Sequence, residues 1–477
     1  MPHMGTCRFI ASALLMSWFA ACPAEAQPVA SSSRPAVVAA NTEQARAPAA
    51  ERAVVRPWSL EDCLLYGLSH HPSIRQAAGA VESARARLGS SRATLGTKVT
   101  ASGAFSRRRT EYARAWANAR IPGGTDDLVD STSESLGARK VLTDFGRTAT
   151  RLQSLGLDLR GAREDLRWTE VQLAAEIKIA WLRALRAKAL LAVQEENLAR
   201  FQQHLDKVRS FVEVGSKPPY DITKAEVDVA NARVSLIGAE SAFRNALSGL
   251  RKTVGTAEDL TVEAADVTVE AVDVASRPAI PDLAIDRLLA EALARPDLRA
   301  GRLALEAARS RLREARLGKQ PTLSASADYS WSGSVTPLDR GYTLGLSLSA
   351  PLLDGRATEF AVREAKAGCD VAAGRLDQLA LTLRHEIETA VTGVLDARQR
   401  YEAAVILVRQ ASETLELAEG RYEAGLGSPL ELTDARTGFA SARGSLVAAY
   451  FDERIALATL DRVLGRFPPE MQGWEEK

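Results

Sequence analysis

The chain has 477 residues, with 61 lysines and arginines against 60 aspartates and glutamates and a formal net charge of +1. So even a balance gives no electrostatic handle for nucleic acid. Aromatic residues make up only 5% of the chain, little for a large globular core and well suited to helices packed on alanine.

Residues 1–26 have the layout of an export signal. Arg8 supplies charge, Phe9 to Ala21 a short apolar core, and Ala24-Glu25-Ala26 a small-x-small cleavage site before Gln27. That run is too short to cross a bilayer as a helix. Phe19-Ala20-Ala21-Cys22 offers a competing reading as a lipoprotein site, with phenylalanine where leucine is usual. No later stretch reaches helix-spanning length, so a membrane form of this chain must use strands. Residues 27–57, rich in Ala, Pro, Ser and Val without periodicity, read as a disordered leader. After cleavage Cys63 and Cys369 remain, at non-equivalent helical positions that favour small buried residues over a disulfide.

Order begins near Trp58. Ser59 is placed to cap a helix from Leu60 to Ser69, with Glu61 and Asp62 in its first turn. His70-His71-Pro72 stops it, and a second helix runs to about Leu95. Leu283 to Arg295, Pro296 and a helix to Leu317 repeat the arrangement. After each helix pair the pattern changes to period two. Leu323, Ala325, Ala327, Tyr329 and Trp331 alternate with Ser324, Ser326, Asp328 and Ser330; Tyr342, Leu344, Leu346 and Leu348 alternate with Thr343, Ser347 and Ser349. Segments of about 10 residues with small hydroxyls on one face match membrane strands. The first half has a rougher version in Val99, Ala101, Gly103 and Phe105, a weak strand near Ser133 to Leu142, and a connection from about Tyr112 to Ser131 carrying Gly123-Gly124.

From Gly146 to Val214, and from Gly355 to Ala424, no proline interrupts the chain. Each stretch is long enough for on the order of 100 Å of helix, which implies a rod or a tunnel. A ladder of alternating three- and four-residue steps arrives through Tyr401, Ala404, Val408, Ala411, Leu415, Ala418 and Tyr422. It crosses Gly425, Gly427 and Pro429 and resumes through Leu432, Ala435, Phe439, Ala442, Leu446 and Ala449. That period winds two helices about each other left-handedly, so the stretch is a coiled-coil hairpin with its tip at the glycines. Ile222, Ala225, Val229, Ala232, Leu236, Ala239, Phe243, Ala246 and Leu250 form the same ladder earlier, entered through Gly215, Ser216, Pro218 and Pro219. Gly215 to Gly255 and Gly425 to Gly465 are equally spaced, which indicates an internal duplication. The expected divisions are residues 58–280 and 281–466 as two repeats, with strand pairs at about 98–142 and 322–351, and 467–477 as a tail.

The sequence offers no Gly-rich phosphate loop, catalytic triad or paired carboxylates, so we expect neither an enzyme nor a cofactor. His70 and His71, without a third ligand, read as surface residues rather than a metal site. Arg107, Arg108 and Arg109 read equally as a solvated strand end or as a contact to lipid phosphates. Tyr329, Trp331 and Tyr342 would lie at one level of a bilayer, as interfacial aromatics do, with core packing the alternative. Asp221, Glu431 and Asp434 come just after the two tips; acids suit the first turn of any helix, and gain interest only if several tips converge.

Three stretches, Arg421 to Ala435 (RYEAGLGSPLELTDA), Val212 to Ser216 (VEVGS) and Ala350 to Gly355 (APLLDG), together with the order of elements over residues 58–466, resemble the TolC-like outer membrane factors. The resemblance implies a mainly helical chain of duplicated coiled-coil hairpins plus four membrane strands. It implies a homotrimer with a twelve-stranded barrel held among the outer membrane lipids and a helical tunnel reaching into the periplasm. It implies partners as well: a periplasmic adaptor, and an inner-membrane transporter that is either an ABC protein or proton-driven. Gly215, Ser216, Gly425 and Leu426 would be adaptor-docking tips. Asp221, Glu431 and Asp434 would line the periplasmic entrance, with Tyr422 helping to close it. Gly427 departs from the pattern, standing where some members have an arginine that bonds neighbouring hairpins. The implied role is a passive exit duct, in type I protein (toxin) secretion first. Small-molecule efflux is the alternative, and a periplasmic adaptor with a single hairpin the more distant one.

Overall fold

The computed structural model describes residues 58–110, 127–258, 283–333 and 338–468. The export signal, the Cys22 alternative, the leader, most of the Gly123-Gly124 connection and nearly all of the tail lie outside these residues; the end of that connection, Asp127 to Ser131, is strand instead. The chain order is α1 (Leu60–His70), α2 (Pro72–Ala93), β1 (Lys98–Thr110), β2 (Asp127–Thr143), α3 (Arg147–Glu213) and α4 (Tyr220–Val254). Then come α5 (Ile285–Ala292), α6 (Pro296–Arg316), a 3-10 turn, β3 (Thr322–Gly333), β4 (Asp339–Ser349), α7 (Ala357–Glu423) and α8 (Pro429–Leu464).

Local chemistry sets the ends of these elements. Ser59 and Asp62 form a reciprocal cap on α1, each backbone N–H donating to the other's side chain at 3.1 Å. The N–H of Thr148 donates to Asp144 at 2.7 Å and that of Thr358 to Asp354 at 3.0 Å, so the same carboxylate opens both long helices. Each of these helices has 67 residues, about 100 Å at 1.5 Å per residue. Both end in the same motif. Ser216 N–H donates to the Phe211 carbonyl and Gly215 N–H to Val212; Leu426 N–H donates to Arg421 and Gly425 N–H to Tyr422. This pairing needs a left-handed residue, and Gly215 and Gly425 supply it at φ of 73° and 75°.

The helices form one layer. α3 packs against α2 and α6 near the sheet and against α4 and α8 towards the tips, while α7 packs against α6 and α8. The seam residues Tyr401, Leu415, Leu432, Ala435, Ala442 and Leu446 are buried between α7 and α8. On α4 only Ala225, Ala232 and Leu250 of the ladder are buried, and Val227, Val234 and Ile237 stand exposed beside them. The reason is position: α4 lies at the rim of the layer, whereas α8 sits between α3 and α7. No described helix is long and apolar enough to cross a membrane.

The sheet is an antiparallel meander in the order β1-β2-β3-β4. β2 is the longest strand at 17 residues, well beyond the weak segment expected near Ser133 to Leu142. It is paired on both sides, so its neighbours rather than its own alternation set its length. β1 and β4 each present one unpaired edge within the chain.

Two histidines and two cysteines are accounted for in the fold. His70 is exposed and stacks on Tyr66 at 4.6 Å. His71 is only half-buried surface: it caps α2, accepting the Ser73 N–H at 3.2 Å, and packs under Gly255. Cys63 is fully buried and burial pushes its thiol up to about 12; Cys369 is partly buried, and both are free.

Candidate functional site

Two regions carry features that fold alone does not require, one on the sheet and one at the tips. On the sheet, register decides which side chains share a face. Tyr329 lies opposite Tyr342, Ala327 opposite Leu344, Ala325 opposite Leu346 and Leu323 opposite Leu348. These residues, with Trp331, Leu136, Phe105 and Val99, make one mainly apolar face that β2 interrupts with Thr132, Glu134 and Lys140, and Tyr342, Leu344, Leu346 and Leu348 are 67–78% exposed. An apolar strand face left open to water invites aggregation, whereas lipid satisfies it. Tyr329 and Trp331 meet edge-on with centroids 4.6 Å apart, so the three expected interfacial aromatics do form one patch. The opposite face carries hydroxyl pairs: Ser102 with Ser135 at 2.7 Å, Ser106 with Ser131 at 2.8 Å and Ser324 with Ser347 at 2.9 Å. Arg107 forks onto Asp130 across the strands at 2.7 and 2.9 Å, a pairing that neither sequence reading of the arginine run contained.

At the tips, Gly215, Ser216, Gly425 and Leu426 are all exposed, and a Cβ added at either glycine would meet nothing within 4 Å. Gly427 differs. A Cβ there would lie 3.0 Å from the Tyr422 backbone nitrogen, so a side chain fits only if this turn gives slightly. The entrance acids separate into two environments. Asp221 is buried, 7% exposed, in the first turn of α4. Glu431 and Asp434 are exposed, and Glu431 pairs with Arg421 across its own tip at 3.2 Å. Ser428 caps α8 by accepting the Glu431 N–H at 3.1 Å. Glu431 and Asp434 thus share a surface that Asp221 does not reach.

Tyr422 is 4% exposed and sits in an apolar cluster with Leu415, Ala418, Leu432 and Ala435. Three partners missed by sequence reasoning surround this region. Lys217 holds its ammonium 3.3 Å from the Tyr422 ring centroid, and the His204 ring meets the tyrosine edge-on at 5.6 Å. Arg436 reaches Glu419 at 2.9 Å. Burial holds His204 down at about 4, helped by the charges of Arg436, Lys217, Lys207 and Lys224, so its imidazole is neutral at neutral pH. None of these residues belongs to a heptad ladder, and no spacing signal marks them. Further up, Arg295 precedes Pro296 as His71 precedes Pro72, and only that correspondence could have singled it out.

A one-layer helical wall with long hairpins below a sheet whose apolar face is open defines a channel subunit of the outer membrane. A family model for outer membrane efflux proteins matches residues 67–256 and 288–466, and the chain belongs to that family. Its place is therefore the outer membrane. The toluene efflux pump outer membrane protein TtgC of Pseudomonas putida is 23% identical over 429 residues, covering 88% of this chain and 84% of TtgC. Protein CyaE of Bordetella pertussis is 29% identical over 205 residues, 40% of this chain and 43% of CyaE. Among solved structures, CusC superposes with a TM-score of 0.73 at 19% identity, covering 92% of this chain and 99% of that one. The outer membrane protein VceC of Vibrio cholerae does so with 0.69 at 17% identity, covering 86% and 97%. The fold is that of the TolC-like channels, a helical tunnel wall joined to membrane strands.

Proposed function

We propose that three copies of this chain close into a passive exit duct, recruited by a periplasmic adaptor and an inner-membrane transporter. The observation that carries the trimer is the pair of open edges. β1 and β4 lack outer neighbours, and on the helical layer α4 at one rim and α7 at the other carry exposed apolar residues such as Val234 and Leu417. Four strands cannot close a membrane barrel, which needs at least about eight, while three copies supply twelve. In this reading Tyr329, Trp331 and Tyr342 sit at the lipid interface, and Gly215, Ser216, Gly425 and Leu426 are the docking tips. Glu431 and Asp434 face the aqueous entrance, Asp221 backs the first tip, and Tyr422 helps to hold the entrance closed.

The cargo we favour is small and apolar or amphipathic. That choice rests on the relative that aligns over most of the chain, whose name records toluene efflux. Type I protein secretion, first in the sequence reading, stands second, on the higher identity to CyaE over a shorter span. The test is outer-membrane fractionation with native mass measurement, followed by deletion. We expect a trimer in the outer membrane and a deletion strain sensitised to organic solvents and hydrophobic antibiotics. A soluble monomer would end the duct reading; unaltered sensitivity with loss of a secreted polypeptide would replace the first cargo by the second.

A further inference from the structure

The two hairpins of one chain lie side by side, and the ties between them change along their length. Arg186 donates to Asp452 at 2.8 Å, and Arg443 pairs with Glu196. Closer to the tips the Thr433 hydroxyl donates to Asp228 at 3.0 Å, and Lys207 stands 3.5 Å from Glu423 with both side chains largely exposed. An exposed ion pair of that length contributes little. Beyond it comes one more tie. Lys217 lies in the turn between α3 and α4, Tyr422 in the last turn of α7, and the ammonium sits 3.3 Å over the ring. The tyrosine hydroxyl, though buried, has no hydrogen-bond partner. Besides its apolar neighbours, the ring is therefore held by its face and by the edge contact with His204, and among the described residues nothing bonds its hydroxyl.

We infer that Lys217 is a latch joining the two hairpin tips of each protomer, acting through the face of the Tyr422 ring and not through its hydroxyl. The inference rests on the tips being the entrance proposed above. An ammonium over a ring is attracted by the ring quadrupole, more strongly as both lose water. Lys217 is half-buried and Tyr422 buried, so the contact is stronger than the exposed pair beside it. Its place at the far end of two long arms gives it the greatest leverage over their splaying. The neutral His204 matters too, since a second cation at the ring edge would repel the first.

The test uses the full-length protein in planar bilayers, with trimer content measured by native mass on the same samples. Lys217→Met keeps the stem and removes the charge. We expect it to raise the open-to-closed ratio roughly five- to thirty-fold, which corresponds to about 1–2 kcal/mol. Lys217→Arg and Tyr422→Phe are expected to close like the parent chain. Tyr422→Leu opens like Lys217→Met, and combining the two adds nothing further, because both remove one contact. Tyr422→Phe opening as far as Tyr422→Leu would overturn the inference, as would Lys217→Arg behaving like Lys217→Met, or a silent Lys217→Met in channels that otherwise form. If the parent chain forms no channel at all, the duct reading falls and the latch falls with it.

Discussion

Arg295→Leu should be the most damaging substitution of one surface-type residue in this chain. The Arg295 side chain is 3% exposed. Its Nε and Nη2 donate to the two oxygens of Asp297 at 3.0 and 2.6 Å, and its Nη1 to Glu386 at 3.0 Å and the Val463 carbonyl at 2.8 Å. Its guanidinium also lies 4.3 Å from the centre of the Trp168 ring. One residue thus fastens the α5–α6 corner to α3, α7 and the end of α8. Leucine fills part of the volume but leaves the Asp297 carboxylate and the Val463 carbonyl short of partners. Breaking a buried charge pair from one side costs about 3–5 kcal/mol. Unfolding entropy is about 2.1 cal/mol/K per residue, so for roughly 400 residues a loss of about 3–5 kcal/mol should lower the midpoint by about 4–6 °C. Helical circular dichroism of the detergent-solubilised trimer at one fixed scan rate measures this, since such assemblies often unfold irreversibly. Arg295→Lys should recover less than half, because an ammonium cannot fork. A fall below about 1 °C for the leucine variant, judged against that scale, would show that the corner does not depend on this hub.

Gly425→Arg should abolish export in the proposed duct while the protein still reaches the outer membrane: a Cβ there meets nothing within 4 Å, the strain of a side chain at φ 75° is confined to an exposed turn, and the added bulk would block a partner docking on the tip. Normal export with normal adaptor crosslinking would reduce the tips to turns. Glu431→Gln combined with Asp434→Asn should lower cation selectivity and block by multivalent cations from the periplasmic side, with trimer content unchanged. Asp434→Asn alone should account for most of it, since Glu431 is already paired with Arg421; unaltered selectivity in the double variant would place both acids away from the pore.

Much of this architecture was legible because its signals are periodic. The heptad ladders named the α7–α8 seam, and alternation named β3 and β4 almost to the residue. The tip glycines stood out because left-handed backbone leaves few substitutes. β2 was underestimated because Ser131, Ser133 and Ser135 on one face and Thr132 and Glu134 on the other give no polarity contrast. Its length comes from two partners distant in sequence, and no local pattern encodes that. The candidate site divided the same way. Gly215, Gly425 and Tyr422 lie on periodic or backbone-constrained positions, so the sequence could single them out. Lys217 and His204 meet Tyr422 across two hairpins, and a contact between elements so far apart in sequence leaves no trace in either one's spacing.

The two repeats agree in backbone and differ in side chains, and the difference tracks position in the wall. A Cβ at Gly255 would lie 2.7 Å from the His71 ring and one at Gly465 2.9 Å from Arg295 Cγ, so one slot holds an imidazole in the first repeat and a guanidinium in the second. His71 caps only the helix that comes after it, whereas Arg295 ties several elements together. The second hairpin matches this, with α8 wedged between α3 and α7, while α4 packs mainly on α3, touches α1 and meets α8 through Asp228 and Thr433. Equal helix lengths, 67 residues each, bring the two tips together, as the contact of Lys217 with Tyr422 shows. The packing differs to match: the second hairpin has helices on both sides of α8, and the first lies at the rim. The inferred latch, Lys217 onto Tyr422, thus ties the rim hairpin to the one packed on both sides, at the point farthest from the sheet.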